Sequence, residues 1–188
     1  MSARKSVDLQ RIIQIAVTLA DQEGFEAVTL AAVAAELGIR IPSLYNHVAG
    51  LPGLRYEIRL WGLRQLGDQI RRAAVGKAGE DAILNFARAY RTFAHTHPGV
   101  YPTTLAAATP DQPDLVAAAQ EVLDILVAIL EPYGFKDDDL LHAIRGLRSV
   151  LHGFVGLEIS GGFGMPLDQD ESFRRLMKMF IAGLQSPH

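Results

Sequence analysis

The residues from Gly38 to Gly50 have types and spacings that suit the recognition of DNA. One short helical pattern ends at Gly38, and a second opens with Pro42 and is polar at its start. Two short helices joined through a glycine turn have the layout of a helix-turn-helix, whose second helix can enter the major groove. There its first residues reach base edges, while hydroxyl groups and backbone amides hold phosphates. An ordinary helical hairpin has the same spacing, so the layout alone leaves both interpretations open.

Three predicted helices position these residues. The first spans about residues 7–22 and ends at Gly24. The second spans 30–37, with Thr29 as its N-cap and Gly38 as its stop, and the third spans 42–47. A long fourth helix follows over 51–74. The pattern therefore predicts a three-helix head over residues 1–52.

The remaining residues, 53–188, predict a larger helical body. Apolar residues recur at spacings of three and four, and no segment alternates with period two for long. Proline and glycine breakers separate helices predicted over 80–95, 98–108, 113–131, 138–160 and 169–184. The expected fold is all-α, with about nine helices.

Composition and charge narrow the functional classes. Apolar residues make up 49% of the chain and charged residues 21%, as in a folded globular protein. No apolar run is long enough to cross a bilayer and the first residues do not resemble a signal peptide, so we expect a cytoplasmic protein without membrane contact. The net charge of −3 is uneven: residues 1–72 hold nine Lys/Arg and seven Asp/Glu, whereas residues 73–188 hold nine and fourteen. The less acidic N-terminal part agrees with DNA contact.

No feature of the sequence predicts catalysis, a metal or another cofactor. The chain has no cysteine, which excludes disulfides, thiolate zinc sites and cysteine nucleophiles. It also lacks the G-x-S-x-G, G-K-[ST] and H-E-x-x-H motifs. His95 and His97 are two positions apart, which places them on different faces of a helix. An all-helical enzyme therefore stays only as an alternative.

The residues around the turn form a specific pattern, which includes Ala27-Val28-Thr29-Leu30, Val33-Ala34, Leu37-Gly38-Ile39, Pro42-Ser43-Leu44-Tyr45-Asn46-His47-Val48 and Leu54. This pattern resembles the DNA-binding domain of the tetracycline-repressor (TetR) family over about residues 8–56. Residues 151–158 and 161–163 are similar to the C-terminal domain of a TetR subgroup with a Trp/His-Gly signature, although the tryptophan is missing here. In that segment we expect His152 and Glu158 to make structural hydrogen bonds.

The resemblance implies roles for the matching residues of the head. The phosphate-facing residues are Thr29, Ser43, Tyr45 and His47, and those best placed toward base edges are Arg40, Ile41 and Asn46, beside Pro42. Arginine can bond guanine, asparagine can bond adenine, and isoleucine can pack on a thymine methyl group. For Tyr45, packing on the first helix is an alternative that can also coexist with a phosphate contact.

One departure from the family pattern concerns phosphate binding. Many relatives carry a lysine just before the fourth helix, whereas this chain has Leu51-Pro52, and Arg55 is the nearest cation. Each lost phosphate contact weakens DNA binding and its dependence on salt. Arg4 and Lys5 are interpreted either as a compensating arm on the DNA backbone or as a solvated tail.

A single recognition helix discriminates weakly between sites, so we expect a homodimer on a palindromic operator. Apolar stripes on the last two helices predict an intersubunit four-helix bundle, with Gly146, Gly153 and Gly156 allowing close approach. Burial of both stripes in the chain's own core is the alternative. The predicted dimer residues are Leu147, Leu151, Phe154, Phe173, Leu176, Met177, Phe180, Ile181 and Leu184.

Aromatic and leucine side chains of the body predict an apolar cavity for a small apolar or amphipathic effector. The predicted lining is Trp61, Phe86, Tyr90, Phe93, Tyr101, Leu123 and Leu126, and a filled core is the alternative. Together with the resemblance to the TetR family, which implies repression, these features predict a repressor that an effector releases from its operator. An effector-free dimeric DNA-binding protein is a further alternative.

Overall fold

The computed structural model describes residues 7–185, and the regular elements within that range are helical, as predicted. It contains eight α-helices and three 3₁₀ turns, against about nine helices expected. The α-helices are α1 (Leu9–Glu23), α2 (Leu30–Leu37), α3 (Ile41–Leu44), α4 (Gly50–Ala74), α5 (Gly79–Thr96), α6 (Pro113–Leu130), α7 (Asp137–Ile159) and α8 (Gln169–Leu184). The 3₁₀ turns are Phe25–Ala27, Tyr101–Thr104 and Glu131–Tyr133. Among these helices, none has the length and apolar character needed to cross a membrane. Arg4 and Lys5 lie outside the described residues.

The chain divides into two compact units, and their bounds differ from those of the predicted head, residues 1–52, and body, residues 53–188. Unit 1 comprises residues 7–65 and 96–116, and unit 2 comprises residues 66–95 and 117–185. The helix α4 contributes residues to both units and runs without interruption through the predicted boundary at residues 52/53. A functional division at that boundary stays a prediction.

The core of unit 1 forms because α1 and α2 are amphipathic and have well-defined ends. The Asp8 carboxylate caps α1 by accepting the Arg11 N–H at 2.8 Å, and the Thr29 hydroxyl caps α2 by accepting the Ala32 N–H at 3.1 Å. The capping role predicted for Thr29 is thereby confirmed. Apolar side chains from the first four helices and from the segment after α5 are buried together, among them Ile12, Ala16, Val33, Leu44, Leu54, Ile58 and Val100.

The helix predicted over 98–108 is wrong, because local hydrogen bonds and proline favour a tighter turn there. Pro102 has no N–H to donate, and the 3₁₀ turn Tyr101–Thr104 replaces a regular helix. The Asp21 carboxylate accepts the N–H groups of Gly99 and Val100 at 3.1 and 3.3 Å, which holds the start of the segment against α1. The hydroxyl of Thr104 donates to the Tyr101 carbonyl at 2.8 Å, which also competes with a helical pattern.

In unit 2, α7 packs against α8, with the Phe154 and Phe173 rings 5.2 Å apart. The Arg91 guanidinium lies over both rings, and it pairs with the Glu158 carboxylate, whose side chain is only 1% exposed. Arg91 donates two hydrogen bonds to it at 2.6 and 2.8 Å, and the His95 Nε2 lies at 3.0 Å. Burial alone raises the pKa of Glu158, but these hydrogen bonds and the Arg91 and His95 charges outweigh burial, so the pKa lies below its usual value. Glu158 therefore has the structural hydrogen bonding expected for it.

Candidate nucleic-acid interface

The turn between α2 and α3 sets the direction of the second helix of the motif. Gly38 adopts the left-handed conformation, with φ of 65°, which favours glycine because a side chain would be strained there. The N–H groups of Gly38 and Ile39 donate to the Ala35 and Ala34 carbonyls, each at 3.0 Å. These bonds satisfy the carbonyls at the end of α2 and turn the chain sharply.

The helix α3 is shorter than predicted, since it ends at Leu44 and residues 45–47 continue as turns. Both the His47 and Val48 N–H groups donate to the Leu44 carbonyl, at 2.9 and 3.0 Å, so the chain still curls after the helix ends. Leu44 and Val48 are buried in the core of unit 1. Because these two positions point inward, the residues between and before them are presented on the opposite side.

All eight residues predicted to contact DNA are exposed to solvent. They are Thr29, Arg40, Ile41, Pro42, Ser43, Tyr45, Asn46 and His47. The exposed fraction reaches 40% for Ile41 and 61% for Tyr45, which is high for large apolar or aromatic side chains. At that exposure Tyr45 is available to a partner outside the chain. We call the outward surface formed by residues 40–47 the recognition face.

The charge around the recognition face is positive but sparse. Residues 37–56 contain two cations, Arg40 and Arg55, and no Asp or Glu. Arg55 is already engaged, because its Nη2 lies 2.7 Å from Glu26 Oε2 and its guanidinium lies over the Phe25 ring at 5.2 Å. Arg55 therefore already has an acidic partner within unit 1, although the Glu26 side chain is 85% exposed.

The seven residues predicted to line an effector cavity are divided between the two units. Trp61 and Tyr101 belong to unit 1, where the Trp61 ring meets the His97 ring edge-on at 5.0 Å. The other five belong to unit 2, and there the Phe86 and Tyr90 rings stack 6.3 Å apart. Five of the seven side chains are buried, whereas Trp61 and Leu123 are half-buried. Their role in effector binding stays a prediction.

Most of the residues predicted to form the dimer face are buried within one copy of the chain. Leu176 and Phe180 are half-buried, and the buried ones are Leu147, Leu151, Phe154, Phe173, Met177, Ile181 and Leu184. The exposed apolar residues of the same helices are different, and include Leu157 on α7 and Met179 on α8. The amphipathic pattern identified the helices, but it did not separate the inward from the outward apolar positions.

Two contacts of unit 1 were missed by the sequence analysis because each joins residues far apart in the chain. The His97 Nδ1 lies 2.7 Å from Asp21 Oδ2, and the same carboxylate holds the Gly99 and Val100 amides. The Arg59 Nη2 donates to the Ala106 carbonyl at 2.6 Å. Neither contact can be predicted from the spacing of residues along the chain.

His95 and His97, the two histidines considered for metal binding, have separate acidic partners. His95 lies beside Glu158, and His97 lies beside Asp21.

Comparison with known protein families agrees with the geometry of both ends of the chain. Residues 12–47 match the model described as bacterial regulatory proteins of the tetR family, which includes α2 and the recognition face. Residues 83–180 match the model described as a tetracyclin repressor-like C-terminal domain. The second match includes the segment around His152 and Glu158.

Individual proteins are similar over nearly the full length. The HTH-type transcriptional regulator YobS of Bacillus subtilis is 35% identical over 185 residues, or 98% of this chain and 96% of that protein. An HTH-type transcriptional regulator of Mycobacterium tuberculosis is also 35% identical, over 94% of this chain and 81% of that protein. The solved structure of BioQ with its double-stranded DNA operator has a TM-score of 0.70 and 20% identity, covering 97% of this chain and all of that one.

Proposed function

The chain belongs to the TetR family of DNA-binding transcriptional regulators, and on that premise we propose that it is a homodimeric repressor released from its operator by a small molecule. Its role is regulatory and not catalytic. The proposal is carried by one observation: the eight residues expected to contact DNA, seven on the recognition face and Thr29 at the start of α2, are all exposed. Arg40, Ile41 and Asn46 supply the chemistry for guanine, thymine and adenine edges in the major groove.

Support for a dimer comes from the outward sides of α7 and α8. Among residues 7–185, no atom apart from those of neighbouring residues in α7 lies within 4 Å of where a Cβ on Gly153 or Gly156 would be, so α7 has a face that a second backbone can approach closely. Leu157 and Met179 are 49% and 66% exposed. A twofold dimer would place two recognition faces on successive turns of a palindromic operator. We propose that the exposed residues form the interface and that the buried stripe beneath them supports it.

The proposed release from the operator occurs when the effector shifts the dimer between two conformations. A ligand that binds one conformation better lowers the population of the other, and it changes operator affinity only by that preference. The proposed low-affinity conformation separates the recognition faces so that they no longer match successive major grooves. As one uninterrupted helix with residues in both units, α4 is the proposed element that transmits the shift.

The test is a mobility-shift titration with the DNA that flanks the protein's own gene, at two salt concentrations. We expect specific, salt-sensitive binding by the wild type and a loss of at least tenfold in Tyr45→Ala and Arg40→Ala. Arg148→Ala is the matched control, because Arg148 is an exposed arginine on α7, outside the recognition face. Equal losses in Arg40→Ala and Arg148→Ala, or no binding to any flanking duplex by the wild type, would contradict the proposal.

A further inference from the structure

Unit 1 contains a cleft of about 670 Å³ beside the turn that follows α1. Phe25, Pro52, Pro102 and Leu115 provide apolar walls, and two arginines of α4, Arg55 and Arg59, provide positive charge. The volume and the mixture of apolar walls with a few polar groups are typical of sites for small organic molecules. The cleft is formed by residues of unit 1 alone, and it is distinct from the cavity predicted among Phe86 and Tyr90.

Arg59 is a half-buried cation without a carboxylate partner among residues 7–185. Its Nη2 donates to the Ala106 carbonyl at 2.6 Å, but its Nε is covered by surrounding atoms and has no acceptor in the described part of the chain. A guanidinium that is partly withdrawn from water normally has an anion beside it and acceptors for its N–H groups. The surroundings of Arg59 therefore lack the anion that its chemistry favours.

Arg55 lies one helical turn before Arg59, on the same side of α4. Its ion pair with Glu26 is exposed, since the Glu26 side chain is 85% exposed to solvent. Its Nε is also covered and lacks an acceptor within the described residues. Two arginines and one glutamate leave the cleft with a single net positive charge. A ligand with one negative charge would balance it, and its carboxylate could share Arg55 with Glu26, which is held only by a solvent-exposed contact.

We propose that this cleft binds a small organic monocarboxylate. The carboxylate pairs with Arg59 and shares Arg55 with Glu26, because arginine presents parallel N–H groups that match a carboxylate. The apolar part of the ligand lies against Phe25, Pro102 and Leu115. Because the cleft includes Phe25 and Glu26, which lie in the turn between α1 and α2, a ligand there acts on the DNA-binding head from within unit 1. That effector role rests on the function proposed above, whereas the ligand site itself does not.

Calorimetric titration of the full chain without DNA tests the site. The probes are benzoate, 4-phenylbutyrate and octanoate, each compared with its neutral amide. We expect at least one acid to bind, and to bind at least tenfold more tightly than its amide. Failure of all three acids to bind at millimolar concentration, or equal affinity of acids and amides, would overturn the proposal.

Three variants locate the binding. Arg59→Met should weaken the acid at least tenfold, while Arg64→Met, which removes an exposed arginine of α4 outside the cleft, should leave it unchanged. Glu26→Gln should tighten binding severalfold, because it removes the carboxylate that competes for Arg55. A gain of affinity cannot result from misfolding. Equal losses in Arg59→Met and Arg64→Met, or weaker binding in Glu26→Gln, would count against the site.

The effector role is measured separately, by repeating the mobility-shift titration with the bound acid present. We expect the acid to change operator affinity at least fivefold in the wild type and not in Arg59→Met. If the acid binds in the calorimeter but leaves operator affinity unchanged, the effector role is wrong and the site stands. If the protein binds no DNA at all, the proposed function fails, while the calorimetric result still decides the site.

Discussion

Among single residues, Glu158 is a charged group whose side chain is only 1% exposed and which pairs with both Arg91 and His95. Arg91 binds both of its carboxylate oxygens, and the same arginine reaches Asp170 at 2.7 Å and lies 4.9 Å from the centre of the Phe173 ring. The Arg91 guanidinium thus links α5 to α7 through Glu158 and to the start of α8 through Asp170. Because 67 positions separate Arg91 from Glu158, no periodic pattern could have predicted their pairing.

Replacing Glu158 with glutamine should destabilise the protein by about 3 kcal/mol at neutral pH, because the half-buried Arg91 loses its main counter-ion and keeps only Asp170. Urea unfolding measures the change. Glu121→Gln is the control, since Glu121 pairs with Arg71 in an exposed contact, and its loss should cost less than about 1 kcal/mol. Similar losses in both variants would show that burial does not strengthen the Glu158 pair.

The contribution of Glu158 should also depend on pH. Its pKa is lowered in the folded protein, so its contribution is complete above the unfolded value of 4.5 and is lost as pH falls through the lower folded value. The difference in unfolding free energy between wild type and Glu158→Gln should therefore shrink as the pH is lowered below 4.5. A difference that stays constant over that range would contradict the assignment.

At the scale of elements, the segment after α5 is held between α1 and α4 in unit 1 by two glycines. A Cβ on Gly99 would lie 1.8 Å from the Ala20 carbonyl oxygen, and a Cβ on Gly62 would lie 2.7 Å from a Val100 methyl group. The Asp21 carboxylate completes the attachment through the Gly99 and Val100 amides. Two helices of unit 1, α1 and α4, are thus attached to residues far along the chain.

Gly99→Ala should destabilise the protein by about 2 kcal/mol, because the added methyl group meets backbone that cannot rotate away. Gly164→Ala should change stability by less than about 0.5 kcal/mol, since a Cβ there has nothing within 4 Å. Thermal unfolding of the two variants, followed by circular dichroism, provides the comparison. Equal midpoints would mean that the close approach of Gly99 to α1 is not required.

At the scale of the whole molecule, the proposed homodimer depends on which residues of α7 and α8 meet at its interface. The predicted stripe is largely buried in one copy, so a partner would contact the layer outside it. The outward layer is less apolar than the buried stripe and contains small residues. Small residues favour an interface in which helices approach closely over one formed by large apolar side chains.

Met179→Glu should dissociate the dimer and reduce operator affinity at least tenfold, because a charge would be buried against the partner. Light scattering should give about twice the 20.5 kDa chain mass for the wild type and a single chain for the variant. Met165→Glu is the control, since Met165 is 78% exposed and lies outside α7 and α8. A monomeric wild type, or dissociation in both variants, would exclude this interface.

The sequence by itself determined the features that depend on neighbouring residues. Thr29 specifies where α2 begins, Gly38 where it ends and Pro42 where α3 begins, because caps, left-handed turns and proline act over only a few positions. The all-helical fold and the exposed recognition face follow from the same local signals together with the family pattern. These predictions needed no knowledge of distant contacts.

Only the tertiary structure decided what each apolar face packs against and which distant polar groups meet. The helical period shows that Leu147 or Met177 is buried, but burial by another part of the same chain and burial by a partner have the same period. The turn at Tyr101–Thr104 depends on Asp21, and the charge of the cleft depends on where Glu26 meets Arg55. Such pairings depend on packing in three dimensions, so they cannot be predicted from the spacing of residues along the chain.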